Sequence, residues 1–80
     1  MSINIGEDIG LEQHRDHDQF IRIEDGNALV QMGDTKENLD FQRVVGNGSA
    51  ILIPAGKWHN IINTGNRNLK LYSIYAPVEH

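Results

Sequence analysis

The sequence predicts an all-β domain, a small antiparallel barrel or jelly roll, and three observations carry that reading. Apolar residues alternate with polar ones at a period of two almost throughout. Turn-forming residues punctuate these runs roughly every ten residues. No stretch shows the 3.6-residue period of a helix longer than a turn.

Taken in chain order, Ile3 and Ile5 alternate with polar neighbours before Gly6, and Gly10 to His14 is a second short run ending in Arg15-Asp16-His17-Asp18. Gln19 to Glu24 runs to Asp25-Gly26, a dipeptide typical of tight hairpins, and Ala28 to Met32 reads as the returning strand. Gly33 to Asp40 is polar and charged, with room for one helical turn, and is expected to be an exposed loop. Phe41 to Val45 and Ala50 to Ile53 flank Asn47-Gly48, a second hairpin signal, and Pro54 stops the latter strand. Trp58 to Asn63 and Leu69 to Tyr75 are the last two runs, joined by the turn-rich Thr64 to Asn68. Seven or eight short strands of this kind form a sandwich or barrel, in which closure deals with the sheet edges.

Eighty residues are read as one domain over 1–80. A chain of this size buries only about two thirds of the surface it exposes when unfolded. It has no cysteine, so a disulfide staple is excluded, and a metal, a second subunit or both are expected to supply the missing stability. A homodimer is the natural expectation. The net charge of −4 comes from scattered acidic residues, and no Lys/Arg cluster offers a footprint for nucleic acid. Met1 to Ile5 lacks a charged start followed by an apolar stretch, and no run approaches the ~18 apolar residues of a membrane span. No membrane partner is expected, and the location is read as cytoplasmic.

Residues two apart in a strand share a face, so Glu12 points with His14, Gln19 with Ile21 and Ile23, and His59 with Ile61 and Asn63. Three strand segments thus aim polar donors at an otherwise apolar face. A bare polar group there costs several kcal/mol, about 2–7 by transfer scales, unless it is hydrogen-bonded or ligated. Two imidazoles, a carboxylate and an amide oxygen suit one divalent Fe, Mn, Ni, Co or Zn ion better than the thiolate-seeking metals.

The spacing Gly48-x5-Pro54-x-Gly56-x2-His59-x3-Asn63 resembles the second cupin motif at every fixed position. Glu12-x-His14-x4-Gln19-x6-Gly26 resembles a variant of the first, with Glu12 and Gln19 where the family usually has a histidine and a glutamate. The resemblance covers Gly10 to Ala76 and implies a metal held by Glu12, His14, Gln19 and His59. Cupins often carry further strands before the first motif. Here only Met1 to Asp8 precede it, so either the barrel is short or a second subunit supplies the missing edge.

Other polar residues receive plainer readings. His17, in a run of charges, is expected to be a solvated loop residue, and the donor in reserve should Gln19 not serve. Gly26, Gly48 and Gly56 are expected to take positive φ in turns. Trp58, Tyr72 and Phe20 are outward-tending aromatics fit for a subunit contact. Asn60 and Asn63 are expected to make turn or cross-strand hydrogen bonds. The remaining inward residues are Ile21, Ile23, Val30, Ile61, Leu71, Ser73 and Tyr75, of which Tyr75 is the one candidate proton donor.

The family implies no single function. The first expectation is a metal-dependent enzyme acting on a small oxygenated molecule, dioxygenase-like or lyase-like. The second is a non-enzymatic module that binds a small ligand or serves structure. The third, sugar-phosphate isomerisation, needs a basic residue at the barrel mouth, for which Lys57 and Arg22 are the candidates.

Overall fold

The computed structural model describes residues 1–77 and contains eight strands: β1 (Ser2–Ile3), β2 (Glu12–Gln13), β3 (His17–Asp25), β4 (Ala28–Gly33), β5 (Phe41–Val45), β6 (Ala50–Ile53), β7 (Trp58–Asn63) and β8 (Leu69–Pro77). The segment 33–40 holds no helix; its one feature is an isolated bridge between Thr35 and Asn38. The strands form two antiparallel four-stranded sheets, ordered β1-β8-β3-β6 and β2-β7-β4-β5. This is the jelly-roll order, and the sheets face each other without closing into a continuous barrel. Ser2–Ile3 pairs with β8 at Lys70 and Leu69, so the chain itself supplies the first strand that the short N-terminal segment left in doubt.

The period-two pattern becomes the packing directly. Along β3 the burial alternates, with Gln19, Ile21 and Ile23 inward and Phe20, Arg22 and Glu24 outward. Ile3, Ile51, Ile53, Leu69 and Leu71 complete the inner face of that sheet, and Ala28, Val30 and Ile61 meet them from the other. Each large aliphatic residue so buried contributes about 1.5–3 kcal/mol.

Both hairpin expectations fail. β3 pairs with β6 and β8, not with β4, and β5 pairs with β4, not with β6. Asp25-Gly26 and Asn47-Gly48 are tight turns, but each carries the chain from one sheet to the other. They dock on one another: the Gly26 N–H donates to Asn47 Oδ1 at 2.7 Å, and the Gly48 N–H to the Ile23 carbonyl at 2.8 Å. Only β4 and β5 are consecutive strands within one sheet. Gly26, Gly48 and Gly56 do take positive φ. At Gly26 (φ 109°) a side chain would also sit 3.2 Å from Leu69, so backbone freedom and close approach coincide there.

Candidate metal centre

β2 and β7 pair with Glu12 directly opposite His59, which sets a carboxylate beside an imidazole at the end of one sheet. His14 lies just beyond β2, and the Pro54–Gly56 turn holds that segment in place. The Gly56 N–H donates to the His14 carbonyl at 2.7 Å, and Gln13 Nε2 donates to the Gly56 carbonyl at 2.9 Å. The same turn is fastened to β3, because the Ala55 N–H donates to Asp18 Oδ1 at 2.8 Å. The fixed spacing from Pro54 to His59 therefore does structural work: it brings three separate donors to one point.

Glu12, His14 and His59 offer ligand atoms that all lie within 4.8 Å of one another. Glu12 Oε2 is 3.3 Å from His14 Nε2 and 3.9 Å from His59 Nε2. His59 is fully buried. Its Nδ1–H points to the Lys57 carbonyl at 3.4 Å, which leaves the Nε2 lone pair facing the cluster. Burial lowers the His59 pKa from 6.5, against the upward pulls of the Lys57 carbonyl and the Glu12 carboxylate, and with a further small push down from His14. His59 is thus neutral near pH 7, the form that coordinates metals.

Gln19 comes from the other sheet, on β3 opposite Tyr75 of β8. Its Nε2 donates to Ser73 Oγ at 3.2 Å and to the Tyr75 hydroxyl at 3.3 Å. Gln19 Oε1 is buried and has no partner. Gln19 and Glu12 line one cavity of about 240 Å³ together with Ile21, Ile61, Leu71, Ser73 and Tyr75.

Among the described residues, the buried side-chain atoms lacking a hydrogen-bond partner are three: His59 Nε2, Gln19 Oε1 and His17 Nε2. All belong to this neighbourhood. The contrast with Asn63 is informative, since that equally buried residue donates to the Ile3 and Arg67 carbonyls and accepts from the Gly65 N–H, each at 2.9 Å. Asn60 is similarly engaged, with the Ile61 N–H and with Asp8. The fold satisfies its buried amides elsewhere and leaves bare donors only here, as a site that receives an ion requires. Two imidazole nitrogens, a carboxylate and an amide oxygen fit a borderline divalent ion.

His17 departs from its expected role. It opens β3, pairs with Pro77, and stacks on the His14 ring at 4.7 Å with its Nε2 buried. Its Nδ1 is 2.8 Å from Asp16 Oδ1. The strand begins two residues earlier than its apolar run, so His17 inherits the inward parity of Gln19 and Ile21. That parity was the available signal. Tyr75 meets His17 and His14 edge-on at 4.7 and 5.5 Å, bracing both rings. The segment Ile3 to Ile9 also lines the cavity, bringing Glu7 and Asp8 to it, and no pattern in the sequence announced that.

Arg22 and Lys57, the basic candidates, do not line the cavity. Arg22 points outward from β3, and Lys57 is ion-paired with Asp34.

An eight-stranded jelly roll with donors from both sheets gathered on its inner face is the architecture of a cupin. The cupin domain family matches residues 1–75, and the chain belongs to it. Among curated proteins, it is 64% identical over 80 residues to the uncharacterized protein YrkC of Bacillus subtilis (strain 168) and 49% identical over 81 residues to the uncharacterized protein L612 of Acanthamoeba polyphaga mimivirus. All of the chain is matched, but it spans only 43% and 49% of those relatives' lengths. The crystal structure of BH2720 from Bacillus halodurans superposes with a TM-score of 0.94 at 65% identity, covering 100% of this chain and 61% of that one. A predicted oxalate decarboxylase from Thermotoga maritima superposes at 0.86 with 20% identity (98% and 63% covered), and the Drosophila melanogaster CENP-C cupin domain at 0.85 with 20% identity (95% and 54% covered). At that identity the likeness is one of fold.

Proposed function

We propose that the protein is a metal-dependent cupin enzyme acting on a small oxygenated molecule, with dioxygenase-like or lyase-like chemistry. The observation that carries this reading is the set of buried, unpartnered ligand atoms on His59, Gln19 and His17, together with a cavity that Gln19 and Glu12 line. Glu12, His14, Gln19 and His59 would hold one divalent Fe, Mn, Ni, Co or Zn ion. When bound, such an ion supplies a Lewis acid, or in the redox-active cases an oxygen-binding centre.

The chain's own residues define the rest. Ile21, Ile61 and Leu71 exclude water from the inner wall of the cavity, which strengthens every polar contact made there. The Tyr75 hydroxyl accepts from Gln19, so its proton is free to be given to a bound ligand. The cavity, at about 240 Å³, is smaller than the roughly 300–1,000 Å³ of drug-sized sites, which favours a small molecule as ligand. Glu12 is the one anionic donor, so the ion retains positive charge and favours chelation by two oxygens. Glu7 and Asp8 on the same wall oppose multiply charged anions. Neutral enolisable dicarbonyls and singly charged hydroxy acids fit these demands best. Polyhydroxylated sugar phosphates do not, because no basic side chain lines the cavity.

Calorimetric titration of small dicarbonyls and hydroxy acids into metal-loaded and metal-free protein tests the proposal, followed by oxygen-uptake and product assays with those that bind. Binding that depends on metal, with turnover, is the expected result. Metal-dependent binding without turnover for iron, manganese, nickel, cobalt or zinc would assign the site to a ligand-binding module. The absence of any metal-dependent binding would remove the enzyme reading altogether.

A further inference from the structure

The two sheets part along the β5 and β6 side of the molecule. These are the last strands of their sheets, and each keeps one edge without a neighbouring strand among the described residues. Between them lies a cavity of about 530 Å³ lined by residues of both. A second hollow, of about 340 Å³, continues it at the Pro54 end, and Met32, Phe41 and Leu52 line both. The two make one trough along β5 and β6, and the 5 residues of β5 set its length at about 16 Å. None of Glu12, His14, Gln19 and His59 lines it.

Strand register fixes which side chains stand in the trough. Paired residues of neighbouring strands share a face, and β5 sets Phe41 beside Met32, Arg43 beside Val30 and Val45 beside Ala28. Val30 and Ala28 are core residues, so Phe41, Arg43 and Val45 point toward the opposite sheet. With no strand beyond β5, Phe41 stays 44% exposed there, and Arg43 is a cation on an otherwise apolar face. It makes no ion pair among the described residues. An inward charge discourages an edge strand from pairing with another chain, and it also offers a fork of N–H donors to whatever occupies the trough. Ser49 lines the same cavity. Its Oγ accepts from the Gly46 N–H at 3.2 Å, so the hydroxyl proton is free to be donated.

We propose that the trough is a ligand site separate from the metal centre, and that its ligand is a small amphiphilic carboxylate. The carboxylate lies on the Arg43 guanidinium, a planar fork that matches its two oxygens, and takes a further bond from the Ser49 hydroxyl. The apolar chain runs past Met32, Phe41 and Leu52 toward Pro54. Size and charge both select this class. The larger cavity falls within the roughly 300–1,000 Å³ of small-molecule sites, and its aliphatic walls favour an apolar body. The net charge of −4 repels anions at a distance, and one exposed arginine holds a bare anion weakly. At the Pro54 end Lys57 is already paired with Asp34, while Asp40, which lines that hollow, would repel a second anionic group. One charged head and an uncharged tail therefore fit best.

The test follows methyl resonances of the purified chain while butanoate, hexanoate, octanoate and decanoate are titrated to millimolar concentrations. Val30, Val45, Ile51 and Leu52 should shift, and Leu71, in the cavity beside the metal centre, should not. Binding should tighten about fourfold for each methylene buried, and level off once the tail outgrows the trough. Octanol should bind at least about tenfold more weakly than octanoate, since it lacks the charge-assisted bonds, and octylammonium should not bind there. Arg43→Gln should bring octanoate down to the level of octanol while leaving octanol unchanged, and Arg43→Glu should reverse the preference in favour of octylammonium. The wild-type comparison of head groups stands even if a variant fails to fold. Octanoate held equally well by Arg43→Gln, octanol held as tightly as octanoate by the wild type, or the absence of any shift overturns the proposal. So do shifts confined to Leu71, which would place the carboxylate beside the metal centre, and trough shifts that follow protein concentration instead of carboxylate, which would place a second copy of the chain there.

Discussion

His59 and Gln19 illustrate two ways in which a buried polar residue keeps a bare ligand atom, as the proposed metal centre would require. His59 is held neutral by burial and keeps one bare nitrogen, whereas Gln19 is turned by Ser73 and Tyr75 so that its amide oxygen faces inward. An imidazole is the stronger donor of the two. His59→Ala should therefore lose metal binding by more than the about 10–100-fold typical of an outer-shell loss, while Gln19→Ala should fall within that range. Equal losses in a calorimetric comparison would refute this ranking. The same burial gives a pH dependence. The folded pKa of His59 lies below its ordinary 6.5, so the neutral form contributes stability that is complete above pH 6.5 and is lost as pH falls toward the folded pKa. Metal-free protein should accordingly show a denaturation midpoint that declines below about pH 6.5, and His59→Asn should flatten that decline. The clustering of Glu12, His14 and His59 was legible beforehand because strand parity and the Pro54-x-Gly56-x2-His59 spacing are local properties of the chain. His17 was not, because a run of charges masked the two residues by which β3 outgrows its apolar stretch. Glu7 and Asp8 reach the cavity through the path of a loop, which carries no periodicity to read.

At the level of the elements, strand positions were legible and their partners were not. Asp25-Gly26 and Asn47-Gly48 specify tight turns, and tight turns they are, but a dipeptide encodes the local bend and not the sheet to which the next strand goes. That choice is made by the two hydrophobic faces, which are buried best when nearly every strand crosses to the opposite sheet. The exception, β4 to β5, is joined by the loop 34–40, and there the fold makes a demand on one residue. Gly33 pairs with Trp58 at the end of β4, and a Cβ at Gly33 would lie 1.9 Å from the Asn38 carbonyl oxygen. The obstruction is backbone, so the loop itself would have to move. Gly33→Ala should cost about 1–3 kcal/mol, as overpacking does, and so lower the melting temperature by roughly 4–8 °C for each kcal/mol in a domain of this size. An unchanged melting temperature would show that the loop yields freely.

On the scale of the whole molecule, the proposed ion would do what closure of the barrel does not. Glu12 and His59 belong to the β2-β7-β4-β5 sheet and Gln19 to the β1-β8-β3-β6 sheet, with His14 on the connection between them. A metal held by all four would fasten the two layers across an interior that otherwise relies on ten buried aliphatic side chains. An ion that binds the folded chain alone stabilises it by RT ln(1 + [L]/Kd), about 2.7 kcal/mol at a concentration of 100 Kd. At about 4–8 °C per kcal/mol, that corresponds to a rise of roughly 10–20 °C. Thermal denaturation of chelator-treated protein, with each of iron, manganese, nickel, cobalt and zinc added back, should show such a rise for at least one of them. Gln19→Ala should retain part of it, since one layer keeps its three donors. His59→Ala should show none. A metal that binds by calorimetry yet leaves the transition of the wild-type chain unmoved would have to bind the unfolded chain equally well, and Glu12, His14, Gln19 and His59 would then not be the residues that hold it.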